Sequence, residues 1–323
     1  MRFRTAVPFL LTLLTMGACT QSERADNPEP APATATVEAG PAAVIDAGGA
    51  ERLPTPNVLA PATVLPRSAL PERLGGVPPA VQARAVLVFD DASGTALYES
   101  NSHDRLPPAS LTKIATAVVV LEAHESLDTV IETHPDLEKE WLEDSSSMGL
   151  EPGDRFSLRE LLYGMLMVSG GDAARELAIA TAGTESAFVE RMNGLAERLH
   201  LDDTHFADVQ GLDASDQFSS AWDMALLSRY AMTFPVFREI VGTETHVAAG
   251  SRELPLYNFN PLLNYTPGVD GIKTGFTEQA GHTFVASVER DGHRVTVVML
   301  NAQSMALDSI ALIEWAFASH RWP

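Results

Sequence analysis

The chain has 323 residues, room for one large domain with tails or for two average ones. Its 43 acidic residues against 22 basic ones give a formal charge of −21, which argues against a nucleic-acid partner because nothing would neutralise phosphates. A single cysteine, Cys19, rules out an intrachain disulfide.

The first segment, 1–19, is expected to be a secretory signal. Arg2 and Arg4 form its basic start, residues 8–16 a short apolar core, and Gly17 and Ala18 the small residues before Cys19. The core is too short for a stable membrane span. A cysteine at the cleavage point resembles the lipobox of bacterial lipoproteins, although Met16 stands where leucine is most usual. That resemblance implies a lipid on Cys19, export to the bacterial periplasm or cell envelope, and a membrane tether. Residues 20–75 are rich in Ala, Pro, Thr and acidic residues and lack sustained periodicity, so they are expected to be a disordered linker. Fifty such residues span on the order of 40 Å as a flexible coil. The folded domain is expected over 76–323.

Residues 85–89 and 95–98 read as two strands joined by turn-forming residues 90–94. They lead into 107–121, where two prolines set the entry and residues 114–121 are apolar on nearly every face, as suits a buried central helix. Ser110 and Lys113 are three apart, so on a helix their tips come within hydrogen-bond reach. Only Lys113, Lys139 and Lys273 are lysines, and a buried lysine, unlike an arginine, can lose its proton and act as a base. Taken alone, the Ser-x-x-Lys spacing is short and common, and Lys113 reads first as a snorkelling helix residue.

Residues 122–240 read as mainly helical. Ser157 and Glu160 make a capping box before Leu158, Leu161, Leu162, Met165 and Leu166 at helical spacing. That helix ends at Ser169-Gly170-Gly171, with Asp172 expected to cap the next. Strands return from Tyr257 onward, at 269–276, 283–288 and 295–300, with Asp291-Gly292 as a hairpin turn. A closing helix over 304–317 should turn Ile310, Ile313, Ala316 and Phe317 inward. Strands at both ends with helices between them predict an α+β fold whose antiparallel sheet joins the two ends of the domain.

Ser-x-x-Lys at 110–113, Ser169-Gly170-Gly171, and Lys273-Thr274-Gly275 follow the motif order of penicillin-binding proteins and class A β-lactamases. Segments 108–113, 147–154, 161–166, 220–225 and 267–275 extend this, so that roughly residues 80–320 resemble the D-alanyl-D-alanine carboxypeptidases among the low-molecular-mass penicillin-binding proteins. The resemblance implies a serine β-lactamase/transpeptidase-like fold, a five-stranded antiparallel sheet flanked by helices plus an all-helical lobe. Many relatives continue into an all-β domain and an amphipathic anchor. The chain ends after its closing helix, so neither is expected.

The resemblance further implies a serine DD-peptidase that cleaves the terminal D-Ala-D-Ala bond of peptidoglycan stem peptides, with β-lactams as covalent inhibitors. Ser110 would be the nucleophile, Lys113 its base, and Ser169 the proton relay to the leaving amine. Lys273, helped by partial burial, would lower the Lys113 pKa. Lys273 and Thr274 would bind the substrate carboxylate, Gly275 would allow close approach, and the amides of Ser110 and Phe276 would form the oxyanion hole. No cofactor or metal is implied.

One departure stands out: the middle motif normally ends in asparagine, and here the place is taken by Gly171. The alternative reading is therefore a weakly active or inactive relative that binds peptidoglycan or penicillin. A β-lactamase is disfavoured because residues 200–220 contain no glutamate to activate a deacylating water. His200, His205 and His282 have no metal-site spacing, although His282 lies close to the third motif. Trp222 and Asp223 read as a core aromatic and a cap, and the acidic run 138–144 as a solvated face.

Overall fold

The computed structural model describes residues 69–134 and 146–323, all within one compact unit. The leader, Cys19, most of the expected linker and the acidic run 138–144 lie outside the described residues. The first element, β1 (Glu72–Arg73), falls inside the stretch expected to be linker, so ordered pairing starts a few residues earlier than composition indicates.

β2 (Ala83–Asp90) and β3 (Thr95–Ser100) form the expected hairpin. Asp90 closes its turn by accepting from the Ser93 amide at 2.8 Å. A 3-10 turn, Ala109–Leu111, then leads into α1 (Thr112–Ala123), which is buried from Thr112 to Val120. Its all-round apolar sequence has this cause: helices and sheet enclose it on every side.

Helices dominate the middle as expected: α2 (Leu158–Met167), α3 (Gly171–Ala182), α4 (Glu185–Arg198), α5 (Ala221–Ala231) and α6 (Pro235–Val241). The serine half of the expected capping box forms at the head of α2, where Ser157 Oγ accepts from the Glu160 amide at 3.3 Å, while the Glu160 carboxylate pairs with His246 Nε2 at 2.6 Å instead. Two strand pairs were not anticipated. β4 (Val130–Glu132) pairs with β5 (Arg155–Ser157), and strands return at residue 245 rather than 257, as the hairpin of β6 (Thr245–Ala249) and β7 (Glu253–Tyr257). Runs of three to five residues are too short for periodicity to separate them from loop.

The chain closes with β8 (Val269–Thr277), β9 (Gly281–Arg290), β10 (His293–Ala302), α7 (Met305–Ser319) and β11 (His320–Arg321). Asp291 and Gly292 both take positive φ, 51° and 78°, as a two-residue hairpin turn requires. The main sheet runs β3-β2-β10-β9-β8, antiparallel throughout, so early and late strands join and β8 is left as an edge. β1 pairs with β11 and clasps the two ends of the folded body.

Both faces of the sheet are covered. On β2, Ala85, Leu87 and Phe89 pack with Ile114 and Val118 of α1, while Val86 and Val88 pack with Leu312, Ile313 and Ala316 of α7. Ile310 and Phe317 are only half-buried against that second cluster. This two-sided burial explains why the central strands read as continuous apolar runs rather than alternating ones.

Candidate active site

The head of α1 and the edge of β8 meet at one cleft, which has a volume of about 480 Å³. Ser110 sits in the turn just before α1, preceded by Ala109 at φ 51°, a conformation that costs a non-glycine residue energy and that packing must hold. Two glycines make room for it. A side chain on Gly211 would collide with the Ala109 carbonyl, and one on Gly275 would come within 2.9 Å of the Ser110 amide. The approach of β8 to the serine turn thus needs a glycine at 275, a different reason from the close approach to substrate that was expected of it.

Lys113 is 1% exposed, and its Nζ donates to Ser110 Oγ at 3.0 Å and to the Gln210 carbonyl at 2.8 Å. Burial lowers its pKa from 10.5 to about 8, opposed by the negative charges of Asp208 and Asp172. The dominant cause is thus burial, which is complete rather than partial, and not repulsion from Lys273. The repulsion acts on Lys273 instead: burial first, then the Lys113 charge, holds its amine well below the ordinary lysine range.

The Gln210 carbonyl is fixed by a loop that spacing alone did not point to. Asp208 accepts from the amides of Gln210, Gly211 and Leu212 at 2.7, 2.5 and 2.8 Å. Gln217 holds the same loop from behind, taking the Ala207 amide on Oε1 and donating from Nε2 to Thr112 Oγ1 at 3.1 Å. Thr116 Oγ1 donates to the Val209 carbonyl at 2.6 Å. The available signal was Asp208 three residues before Gly211, a spacing that suits a side chain folding onto its own turn.

Ser169 lies between α2 and α3 at φ 62°, is 4% exposed, and lines the cleft beside Ser110 and Lys113. Asp172 does not cap α3, whose N-cap is Gly170. Instead its carboxylate, fully buried, accepts five hydrogen bonds, from Ser147 Oγ and the amides of Met148, Gly149, Leu150 and Ala173. Gly171 donates its amide to the Ser146 carbonyl at 2.7 Å, and Ser146 also lines the cleft.

On β8, Thr274, Gly275, Phe276 and Thr277 line the cleft. Lys273 is 2% exposed and donates to the Thr274 carbonyl at 2.9 Å, and it is not among the residues that line the cleft. His282 pairs across from Phe276, stands 4.8 Å from its ring, and lines the cleft too. His205 bonds instead to the Asp216 carbonyl. Asp223 is not a cap either: Ser220 caps α5, and Asp223 holds the Asp203 amide and Thr204 Oγ1.

A buried, partly neutral amine on a serine hydroxyl, beside an edge strand, is an arrangement suited to acyl transfer. Sheet order, flanking helices and cleft position define the serine β-lactamase/transpeptidase-like class. The Streptomyces K15 DD-transpeptidase superposes with a TM-score of 0.71 at 28% identity, covering 75% of this chain and 100% of that one. Penicillin-binding protein 6B from Escherichia coli gives 0.69 at 36%, covering 74% and 78%.

The chain belongs to the D-alanyl-D-alanine carboxypeptidase family, Peptidase_S11, whose pattern matches residues 74–304. Among curated relatives, the carboxypeptidase DacF of Bacillus subtilis is 32% identical over 69% of this chain, and DacD of Escherichia coli 39% over 70%. The matches span only 58% and 60% of those two proteins.

Proposed function

We propose that the chain is a serine-type DD-peptidase that hydrolyses the terminal D-Ala-D-Ala bond of peptidoglycan stem peptides and is acylated by β-lactams. The observation that carries this is the 3.0 Å bond from the buried Lys113 amine to Ser110 Oγ. With the lysine neutral, the same contact lets Nζ take the hydroxyl proton as Oγ attacks the carbonyl carbon. The tetrahedral oxygen would be met by the amides of Ser110 and Phe276, a reading supported by the close approach of β8 to the serine turn. Collapse of the intermediate breaks the C–N bond, and Ser169, which lines the same cleft, passes a proton to the departing D-alanine. Water then cleaves the ester and restores Ser110.

Thr274, which lines the cleft, would contact the substrate carboxylate directly, while Lys273 would act through its charge and its hold on the Thr274 carbonyl. The alternative of an inactive binder, based on Gly171, gains no support, because the chain's relatives carry carboxypeptidase names. Export and a lipid on Cys19 complete the proposal, resting on the leader's charge and apolar pattern. Incorporation of labelled palmitate, lost in Cys19→Ser, tests that part.

The central test is intact-mass spectrometry after benzylpenicillin, paired with D-alanine release from a stem pentapeptide. One adduct on the wild type, none on Ser110→Ala, and release by the wild type alone are expected. An adduct that persists in Ser110→Ala removes the serine from its role.

A further inference from the structure

Asp208 touches neither Ser110 nor the open cleft, yet it controls what Lys113 touches. Its two oxygens gather three consecutive amides, those of Gln210, Gly211 and Leu212, into one turn. The turn aims the Gln210 carbonyl at Nζ, 2.8 Å away. Gln217 and Thr116 pin the loop to α1 on either side of Lys113, through Thr112 Oγ1 and the Val209 carbonyl. A free backbone carbonyl in a mobile loop could not hold an ammonium in one orientation; this one has no freedom left.

The charges facing the amine come from three elements: Asp208 from this loop, Asp172 from α3, and Lys273 from β8. Asp208 is the larger of the two negative influences. From α4, Glu185 in turn faces Asp208, and its carboxyl is pushed up by burial, with the Asp208 and Glu176 charges adding to the effect and Arg175 opposing it. A neighbouring anion stabilises the ammonium form, so Asp208 works against the burial that frees the base.

We propose that Asp208 is a positioning residue for the catalytic amine: it locks the Gln210 carbonyl onto Lys113 Nζ and sets a negative charge beside the base. The inference rests on the reading of Lys113 as the base for Ser110. It predicts that charge and clamp separate in part by substitution. Asp208→Asn removes the charge and keeps one accepting oxygen, enough for the Gln210 and Gly211 amides but not for that of Leu212; Asp208→Ala removes the charge and all three bonds.

The full chain contains three lysines, Lys113, Lys139 and Lys273, so its lysine side-chain carbons give a readable NMR titration when ¹³C-labelled. Replacing Lys139 and Lys113 in turn by arginine assigns the signals. In Asp208→Asn the Lys113 midpoint should fall by about one pH unit, as expected for removal of a close opposite charge. The acid limb of the acylation rate should fall with it, while KM for a stem pentapeptide stays within about twofold. In Asp208→Ala the limiting acylation rate should drop a further tenfold or more. An unmoved midpoint in folded Asp208→Asn overturns the proposal and leaves Asp208 a loop staple. The titration reads the Asp208–Lys113 coupling even if wild-type protein forms no acyl-enzyme, an outcome that would sink the function itself instead.

Discussion

The helical wall of the cleft is held by side chains that bond to backbone: Asp208 and Gln217 to their own loop, Thr116 to Val209, and Asp172 to residues 147–150. The strand wall is built the other way. β8 offers a glycine, two threonines and an exposed phenylalanine, and keeps its one lysine buried. On the first wall, a lost side chain moves the reacting atoms, because their positions descend from it. On the second, side chains tune fit while main chain does the holding, so only a change that displaces the strand should reach the chemistry.

The largest expected effect tests the first wall directly. Lys113→Ala should slow penicillin acylation by about a hundred- to ten-thousandfold, measured by stopped flow. In the native protein the same rate should climb as pH rises through about 8, since the amine accepts a proton only when neutral and is an ammonium below that value. A rate that stays flat from mildly acidic to mildly alkaline pH would break the comparison at its foundation.

Gly275→Ala should come next. Its new methyl, 2.9 Å from the Ser110 amide, forces strand and turn apart and should cost about a hundredfold in kcat/KM, with the Lys113 titration unmoved. Asp172→Ala strips a shared acceptor from four buried or half-buried amides and a hydroxyl. Its loss should lower stability by about 2 kcal/mol, seen as a melting point roughly 4–8 °C lower. Phe276→Ala should do least. The ring is 58% exposed and only its amide is assigned to the oxyanion, so KM should rise about threefold while kcat holds. A large fall in kcat there would mean that the strand wall, too, works through its side chains.

Local signals in the sequence were reliable where the physics was local. Ser110 and Lys113 meet because three residues make most of a helical turn, Ser157 caps α2 three residues before Glu160, and Asp291-Gly292 turns a hairpin because both accept positive φ. What stayed hidden depends on distant partners. Gln210 reaches Lys113 across 97 residues and Gln217 reaches Thr112 across 105, and no periodicity records such meetings. Asp172 shows the intermediate case: an acidic residue at a helix start was read as a cap, but the nearby 147–150 loop claimed its oxygens. For Lys273, strand alternation could indicate a side of the sheet, not that the amine would fold back onto the next carbonyl.

The pairing of β1 with β11, reinforced by the Leu74 amide on the Ser319 carbonyl at 2.8 Å, brings the start and finish of the folded body side by side. A peptide of a few residues could therefore bridge them and make a ring, and new ends could be cut at the Asp291-Gly292 turn without parting any strand from its neighbour. Such a circular permutant would carry any fused cargo from the opposite end of the β9–β10 hairpin, with the catalytic cleft left in place.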